Sequence, residues 1–155
     1  SRNGHRGQGK SVGLPFFLFT TLAGNTAGFV GGALAGAATV TNSLIANSTG
    51  GNPSNIQQNC TVELTNGGGN IQYPQKTTGN WNDYECFGGQ TAVNPLLGVL
   101  SDMAGDADIP LLAGSPAIGG GLNANCPATD QRGFVRVDEQ CDAGAYEAGA
   151  VVFVP

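Results

Sequence analysis

The sequence predicts an all-β chain wound as a short solenoid, and three observations carry that expectation. Gly (26), Asn (14) and Thr (12) supply a third of the 155 residues, whereas Glu occurs four times and Lys twice. Long amphipathic helices, coiled coils and helical bundles are built from the residues that are scarce here. Second, 40% of the residues are hydrophobic and the net charge is only -5, which excludes wholesale disorder. Third, Leu18–Gly28 matches Val40–Gly50 at an offset of 22 residues: Leu22 falls on Leu44, Asn25 on Asn47, Thr26 on Ser48 and Gly28 on Gly50. A period in the low twenties is too short for paired helices and fits one coil of a β-solenoid.

Each element follows from its residues. Thr39-Val40-Thr41 and Ser43-Leu44-Ile45-Ala46 can alternate faces as short strands, with the apolar side chains stacked inside. Asn25 and Asn47 are expected at the turns, where asparagine tolerates a left-handed backbone and can bond the neighbouring coil. At one period per coil, four or five coils are expected. Residues 1–10 read as a basic extension, with Arg2, Arg6 and Lys10 beside the lone His5, and residues 11–155 as a single β domain ending in a strand at 150–154.

Charge is sharply segregated. Between Ser11 and Val62 there is no charged side chain, while residues 63–155 carry three basic and eleven acidic groups, net -8. With a sequence pI near 4.5, a nucleic-acid partner is not expected. Val12–Phe19 is too short to span a bilayer and contains Pro15; Gly28–Ala46 lacks flanking Lys or Arg anchors, so no transmembrane segment is expected. The chain begins at Ser1 without a visible signal peptide, as expected of a processed, secreted product.

Four cysteines, Cys60, Cys86, Cys126 and Cys141, show no C-x-x-C spacing, so two disulfides in an oxidising compartment are preferred over a zinc site. Three pairings are possible. Nearest-neighbour pairing, Cys60 with Cys86 and Cys126 with Cys141, ties two separate loops and is preferred, each bond contributing about 3 kcal/mol. Loss of the second bond, which closes the terminal motif, is expected to be the more damaging.

Beyond the repeat, an ordered series of motifs runs from Asn59-Cys-Thr-Val-Glu-Leu-Thr-Asn-Gly-Gly-Gly-Asn70 through Asn94-Pro-Leu-Leu-Gly98 and Leu112-Ala-Gly-Ser-Pro-Ala-Ile118. It ends in Cys126-Pro-Ala-Thr-Asp-Gln-Arg-Gly133 and Cys141-Asp-Ala-Gly-Ala-Tyr-Glu147. Over about residues 18–147 this series resembles the C-terminal end of bacterial surface proteins of the choice-of-anchor Q type, related to polymorphic outer-membrane-protein repeats. The resemblance implies a right-handed parallel β-helix with a loop-rich, disulfide-stapled C-terminal region. It also implies that the Cys126 and Cys141 motifs pair near the end of the helix. The chain departs from the pattern at Ser101–Asp108, at Pro116-Ala-Ile-Gly119, and after Glu147, where no sorting motif follows.

Candidate chemistry is sparse. Asp102, Asp106 and Asp108 offer three carboxylates to calcium, but their spacing misses the EF-hand pattern, so solvated loop acids are preferred and no metal is expected. Asp130, Asp138, Glu139, Asp142 and Glu147 could supply a paired-carboxylate site beside Arg132 and Arg136. The competing reading makes Asp130-Gln-Arg132-Gly133 a turn held by an acid–arginine pair. A Ser/His/Asp arrangement would depend on His5 in the basic extension. Tyr73, Trp81, Tyr84 and Phe87 could stack on sugar rings or cover the core. Asn47-Ser-Thr49 and Asn59-Cys-Thr61 match the N-glycosylation sequon. Only Thr39-Val-Thr41 has the Thr-x-Thr form that an ice-binding ladder would repeat.

The expected function is therefore non-enzymatic and without cofactor: a secreted, cell-surface or matrix protein that adheres and assembles head-to-tail into filaments. Leu14, Phe16, Phe17 and Phe19 at one end, and Val151, Val152, Phe153 and Val154 at the other, are the residues expected to join copies by strand addition. The alternative is a carbohydrate-binding module, or an inactive relative of polysaccharide-processing β-helix proteins, taking surface glycans as partners.

Overall fold

The computed structural model describes residues 13–51, 59–76, 84–101, 107–136 and 140–150. The described residues contain no helix. Eight short strands follow in order: β1 (Phe16–Leu18), β2 (Thr21–Ala23), β3 (Thr26–Ala27), β4 (Thr39–Thr41), β5 (Leu44–Ala46), β6 (Thr49–Gly50), β7 (Thr65–Asn66) and β8 (Ile71–Tyr73). They form three parallel sheets ordered β1-β4-β7, β2-β5-β8 and β3-β6. The chain thus makes successive passes, each laying its strands beside those of the pass before, and β1, β2 and β3 share one open side. These strand ladders run through three passes; beyond Tyr73 the described chain forms only isolated bridges. Four or five coils were expected; the C-terminal segment instead packs beside the passes already formed.

The register corrects the repeat by one residue. Phe16 pairs with Thr39, Thr21 with Leu44 and Thr26 with Thr49, an offset of 23 where matching identities suggests 22. A one-residue slip exchanges the two faces of every strand. What sets the register is the corner between strands, where the backbone turns left-handed. Phe19 (φ 48°) stacks on Asn42 (φ 50°), and Gly24 (φ 65°) on Asn47 (φ 54°). Asn47 therefore holds the turn position expected of it, whereas in the first pass Gly24 does so and Asn25 follows. From the second pass to the third the offset widens to 26 at β7 and 27 at β8. Gly67–Gly69 fill that wider corner; a side chain on Gly69 would collide with the Asn42 carboxamide.

Immediately after each corner, a backbone N–H is bonded by a side chain from elsewhere in the stack. Thr20 N–H donates to Ser43 Oγ (3.0 Å), and Ser43 N–H to Asn70 Oδ1 (2.9 Å). The second column repeats the device: Asn25 N–H donates to Ser48 Oγ (3.3 Å), and Ser48 N–H to Asn59 Oδ1 (2.9 Å). The Asn70 and Asn59 amide groups also donate to the carbonyls of Val40 and Tyr73. Ser43, Ser48, Asn59 and Asn70 are all buried, yet each has partners, as burial of polar groups requires.

β5 divides the core in two because its successive side chains point to opposite faces. Ile45 joins Val40, Leu64, Phe87 and the Cys60–Cys86 disulfide in one cluster. Leu44 joins Ile71, Leu111, Ala117 and Ala143 in the other, supplied largely by the C-terminal segment. Gln72 of β8 clamps the segment that carries Phe87: its Oε1 accepts the Phe87 N–H and its Nε2 donates to the Phe87 and Gln90 carbonyls.

Both disulfides join nearest neighbours, Cys60 to Cys86 and Cys126 to Cys141, compatible with an oxidising environment. Their settings differ. Cys60 and Cys86 are buried in the first core cluster, whereas Cys126 lies in a partly exposed loop. Loop closure alone stabilises by about 3 kcal/mol in each case; the first bond also fills core volume with both of its cysteines, the second with Cys141 alone. Double replacement of Cys60 and Cys86 by Ala is therefore expected to lower the melting temperature more than replacement of Cys126 and Cys141, reversing the ranking that the motifs suggest. Asn70→Ala leaves the buried Ser43 N–H without a partner, whereas the Val40 carbonyl keeps the Gly67 N–H. Chemical denaturation should register a loss of at least about 1–3 kcal/mol, the cost of one orphaned buried group.

Candidate functional site

The terminal motifs form a buried charged knot. Asp130 Oδ1 accepts the Arg132 and Phe134 N–H groups, and its Oδ2 takes the Arg132 guanidinium at 2.5 Å from Nη2 and 2.8 Å from Nε. This is the turn held by an acid–arginine pair, closed by Gly133 at φ 77°. The same guanidinium lies 3.6 Å from the Tyr146 ring centroid and 4.6 Å from that of Phe134, and donates to the Glu147 carbonyl. Arg136 pairs with Glu147, donates to the Gly144 carbonyl and lies over the Phe19 ring at 4.8 Å.

Three of the acids that could form a catalytic pair, Asp130, Asp142 and Glu147, belong to this knot. Asp142 accepts the Gly119 and Ala148 N–H groups on its two oxygens (2.7 and 2.6 Å), and Glu147 Oε2 accepts the Asp142 N–H. Both side chains are fully buried, so neither presents a carboxylate to a substrate. Burial pushes the Glu147 carboxyl above its ordinary value of 4.5; repulsion from Asp142 adds to the rise, while the Asp142 N–H and Arg136 oppose it. Its Oε1 and the Arg136 Nε have no hydrogen-bond partner among the described residues. Asp138 and Glu139 lie outside the described residues.

The remaining sequence candidates disperse. Asp108 is buried, accepts the Ser101 hydroxyl at 2.6 Å and faces Arg132 Nε at 3.8 Å; Asp102 and Asp106 lie outside the described residues. Among the described residues no group of three His, Cys, Asp or Glu side chains could hold a metal ion. No described helix is long and apolar enough to cross a membrane. Phe87 is buried at the centre of the core, Tyr84 is exposed beneath Lys76, Tyr73 is half-buried, and Trp81 lies outside the described residues. The three described aromatics therefore do not share one sugar-stacking face. Asn59 of the second sequon is buried and bonded on both sides of its amide group. His5 and the rest of the basic extension also fall outside the described residues.

Of the residues expected to join copies, Leu14 and Phe16 are 59% and 60% exposed, and Phe17 packs partly against the first cluster. Phe19 is a correction: it is 7% exposed, held inside its own subunit by the corner geometry and by Arg136. Val151, Val152, Phe153 and Val154 lie outside the described residues.

One feature had no sequence signal. A groove of about 520 Å³ runs between β2 and the hairpin bridged at Leu97–Leu111 and Ser101–Asp108. Five consecutive residues, Thr21 to Asn25, line one wall; Leu97, Leu100, Ile109 and Tyr146 stand among those opposite. Side chains of a strand alternate between faces, so an unbroken run of lining residues means that the groove follows the strand's backbone edge. No protein-family model, curated protein or solved structure matches this chain.

The Glu147 shift has a testable sign. A carboxyl whose folded pKa is raised stabilises the fold fully below its unfolded value, and that contribution is lost as pH rises through the folded value. The stability of the native protein relative to Glu147→Gln should therefore fall as pH is raised from 4 toward neutrality. Thermal melting of both proteins across that range checks it; a difference independent of pH contradicts it.

Proposed function

We propose that the chain is a non-enzymatic extracellular structural or adhesive protein, built as a short right-handed parallel β-helix, that assembles with copies of itself by strand addition. The observation that carries this reading is the open side formed by β1, β2 and β3, each of which has a strand neighbour on one side only among the described residues. An unpaired strand edge is a template for another strand. Leu14 and Phe16 stand exposed beside it, and burying them adds an apolar contribution to the backbone pairing. Serial addition from one copy to the next grows a head-to-tail surface or matrix filament. The buried acids of the terminal motif, each bonded to backbone N–H groups or arginine, suit a fastening role better than chemistry. The bacterial surface-protein resemblance agrees with this reading, and so do the two disulfides with a secreted location.

A second reading, a carbohydrate-binding module, is favoured by the groove and the polar side chains of Asn25, Asn47 and Gln131 along it. Against it, a face of the Tyr146 ring is already taken by Arg132. Sedimentation velocity and electron microscopy of the intact chain over a range of concentrations test the first reading. Concentration-dependent oligomers or filaments are expected, and a monodisperse monomer at high concentration overturns it.

A further inference from the structure

The groove beside β2 has the features of a strand acceptor. In the β2–β5 ladder the Thr20 carbonyl accepts from Leu44 N–H and Gly24 N–H donates to the Ala46 carbonyl. In a parallel ladder the N–H and C=O of one residue point to the same side, and successive residues alternate. Thr20, Leu22 and Gly24 therefore bond toward β5, while Thr21 and Ala23 turn both backbone groups the other way. Among the described residues nothing pairs with those outward groups. The groove runs along this edge, and its far wall carries the apolar side chains of Leu97, Leu100 and Ile109 beside Gln131 and Tyr146. Beside that wall stand two of the most exposed apolar side chains in the molecule, Val99 (83%) and Leu100 (67%).

Among the described residues the lining contains no charged side chain, so they offer neither an acidic nor a basic ligand a counter-charge. An uncharged extended segment fits better. From Thr21 to Ala23, before the corner at Gly24, the extended edge is about 7 Å long at 3.3 Å per residue, the reach of about three extended residues. Val151-Val-Phe-Val154 is long enough to cover that edge, carries no charge and consists of residues with high strand preference. Pro155 follows it, and proline is tolerated where a strand ends. As this segment enters along β2, alternate side chains would meet the apolar wall while its backbone pairs with Thr21 and Ala23.

Resting on the self-assembly reading above, we infer that the groove between β2 and the Leu97–Leu111 hairpin is the acceptor for Val151–Val154 of a second copy of this chain. Tyr146, five residues before the donor segment, lines the groove of its own subunit. Two copies can then exchange tails reciprocally and close, or pass tails serially and grow. In both cases the groove is incomplete without the partner's tail.

The test uses full-length chains, isotopically light and heavy, mixed after both carry Phe153→benzoylphenylalanine. Irradiation is expected to join heavy to light chains, with adducts mapping to Thr21–Asn25 or to Leu97–Ile109. Val152→Asp in the unlabelled chain is expected to weaken self-association at least tenfold by sedimentation while leaving unchanged the melting temperature measured at concentrations too low for association. Adducts confined to single chains would mean that the tail caps its own edge, and would overturn the inference. Assembly that persists with adducts elsewhere removes this acceptor but leaves the self-assembly reading intact. A monomer without heavy–light adducts removes both. A sugar-array hit abolished by Leu100→Asp in a monomeric chain gives the groove to the glycan reading.

Discussion

The structure depends on how the chain turns its corners. Parallel strands as short as two or three residues cannot hold a stack by ladder hydrogen bonds alone, because most of the described backbone lies outside them. Each turn leaves an amide inside the stack that no strand can reach, and a buried unpaired amide costs about 1–3 kcal/mol. Ser43, Ser48, Asn59 and Asn70 remove that cost by bonding the corner N–H groups around them. Asn42 extends the device outside the stack. Its carboxamide exchanges two hydrogen bonds with the backbone of Leu122, and its carbonyl accepts the Gly144 N–H. One fully buried corner residue thereby ties the passes to the C-terminal segment across 80 positions of sequence.

This constraint explains why the repeat was legible in kind but not in register. Matching identities aligned Asn25 with Asn47 and Thr26 with Ser48. In the structure the equivalent left-handed positions are Gly24 and Asn47, and the equivalent corner residues are Asn25 and Ser48. Backbone conformation was the repeated quantity, and different residue types can satisfy it: glycine at no steric cost, asparagine at little. Phe19 satisfies it at a cost of about 1–2 kcal/mol, offset by burial of its ring beneath Arg136. A bulky aromatic in an apolar run reads naturally as a sticky surface residue. Nothing in the local sequence announces that it sits at a left-handed corner.

The disulfide pairing and the Asp130–Arg132 turn were legible because both depend on residues close in sequence. The groove was not. It is made by a strand of the first pass and a hairpin about 75 residues later, and its lining residues share no motif. Likewise, the motif Cys141-Asp-Ala-Gly-Ala-Tyr-Glu147 gave no hint that Gly144 would lie against Thr21 and Leu44. A Cβ there would come within 2.7 Å of the Thr21 hydroxyl and 2.9 Å of Leu44, so glycine is required by an approach from the opposite end of the chain.

Charge segregation has a physical consequence in this arrangement. The passes are neutral, so their corners can stack without burying ions. The charges that the C-terminal segment does bury, Asp130, Asp142 and Glu147 with Arg132 and Arg136, are gathered at one place. Such a knot contributes little net stability, because desolvation opposes the ion-pair attraction. What it provides is position: a misplaced segment would leave these charges buried and unpaired, a far larger penalty than a slipped apolar contact. Arg132 between Tyr146 and Phe134, and Arg136 over Phe19, fix the C-terminal segment against the first pass in one arrangement. That arrangement forms the far wall of the groove and leaves the edge of β2 open beside it. The same specificity that folds the terminal motif therefore shapes the surface on which a second copy is proposed to add.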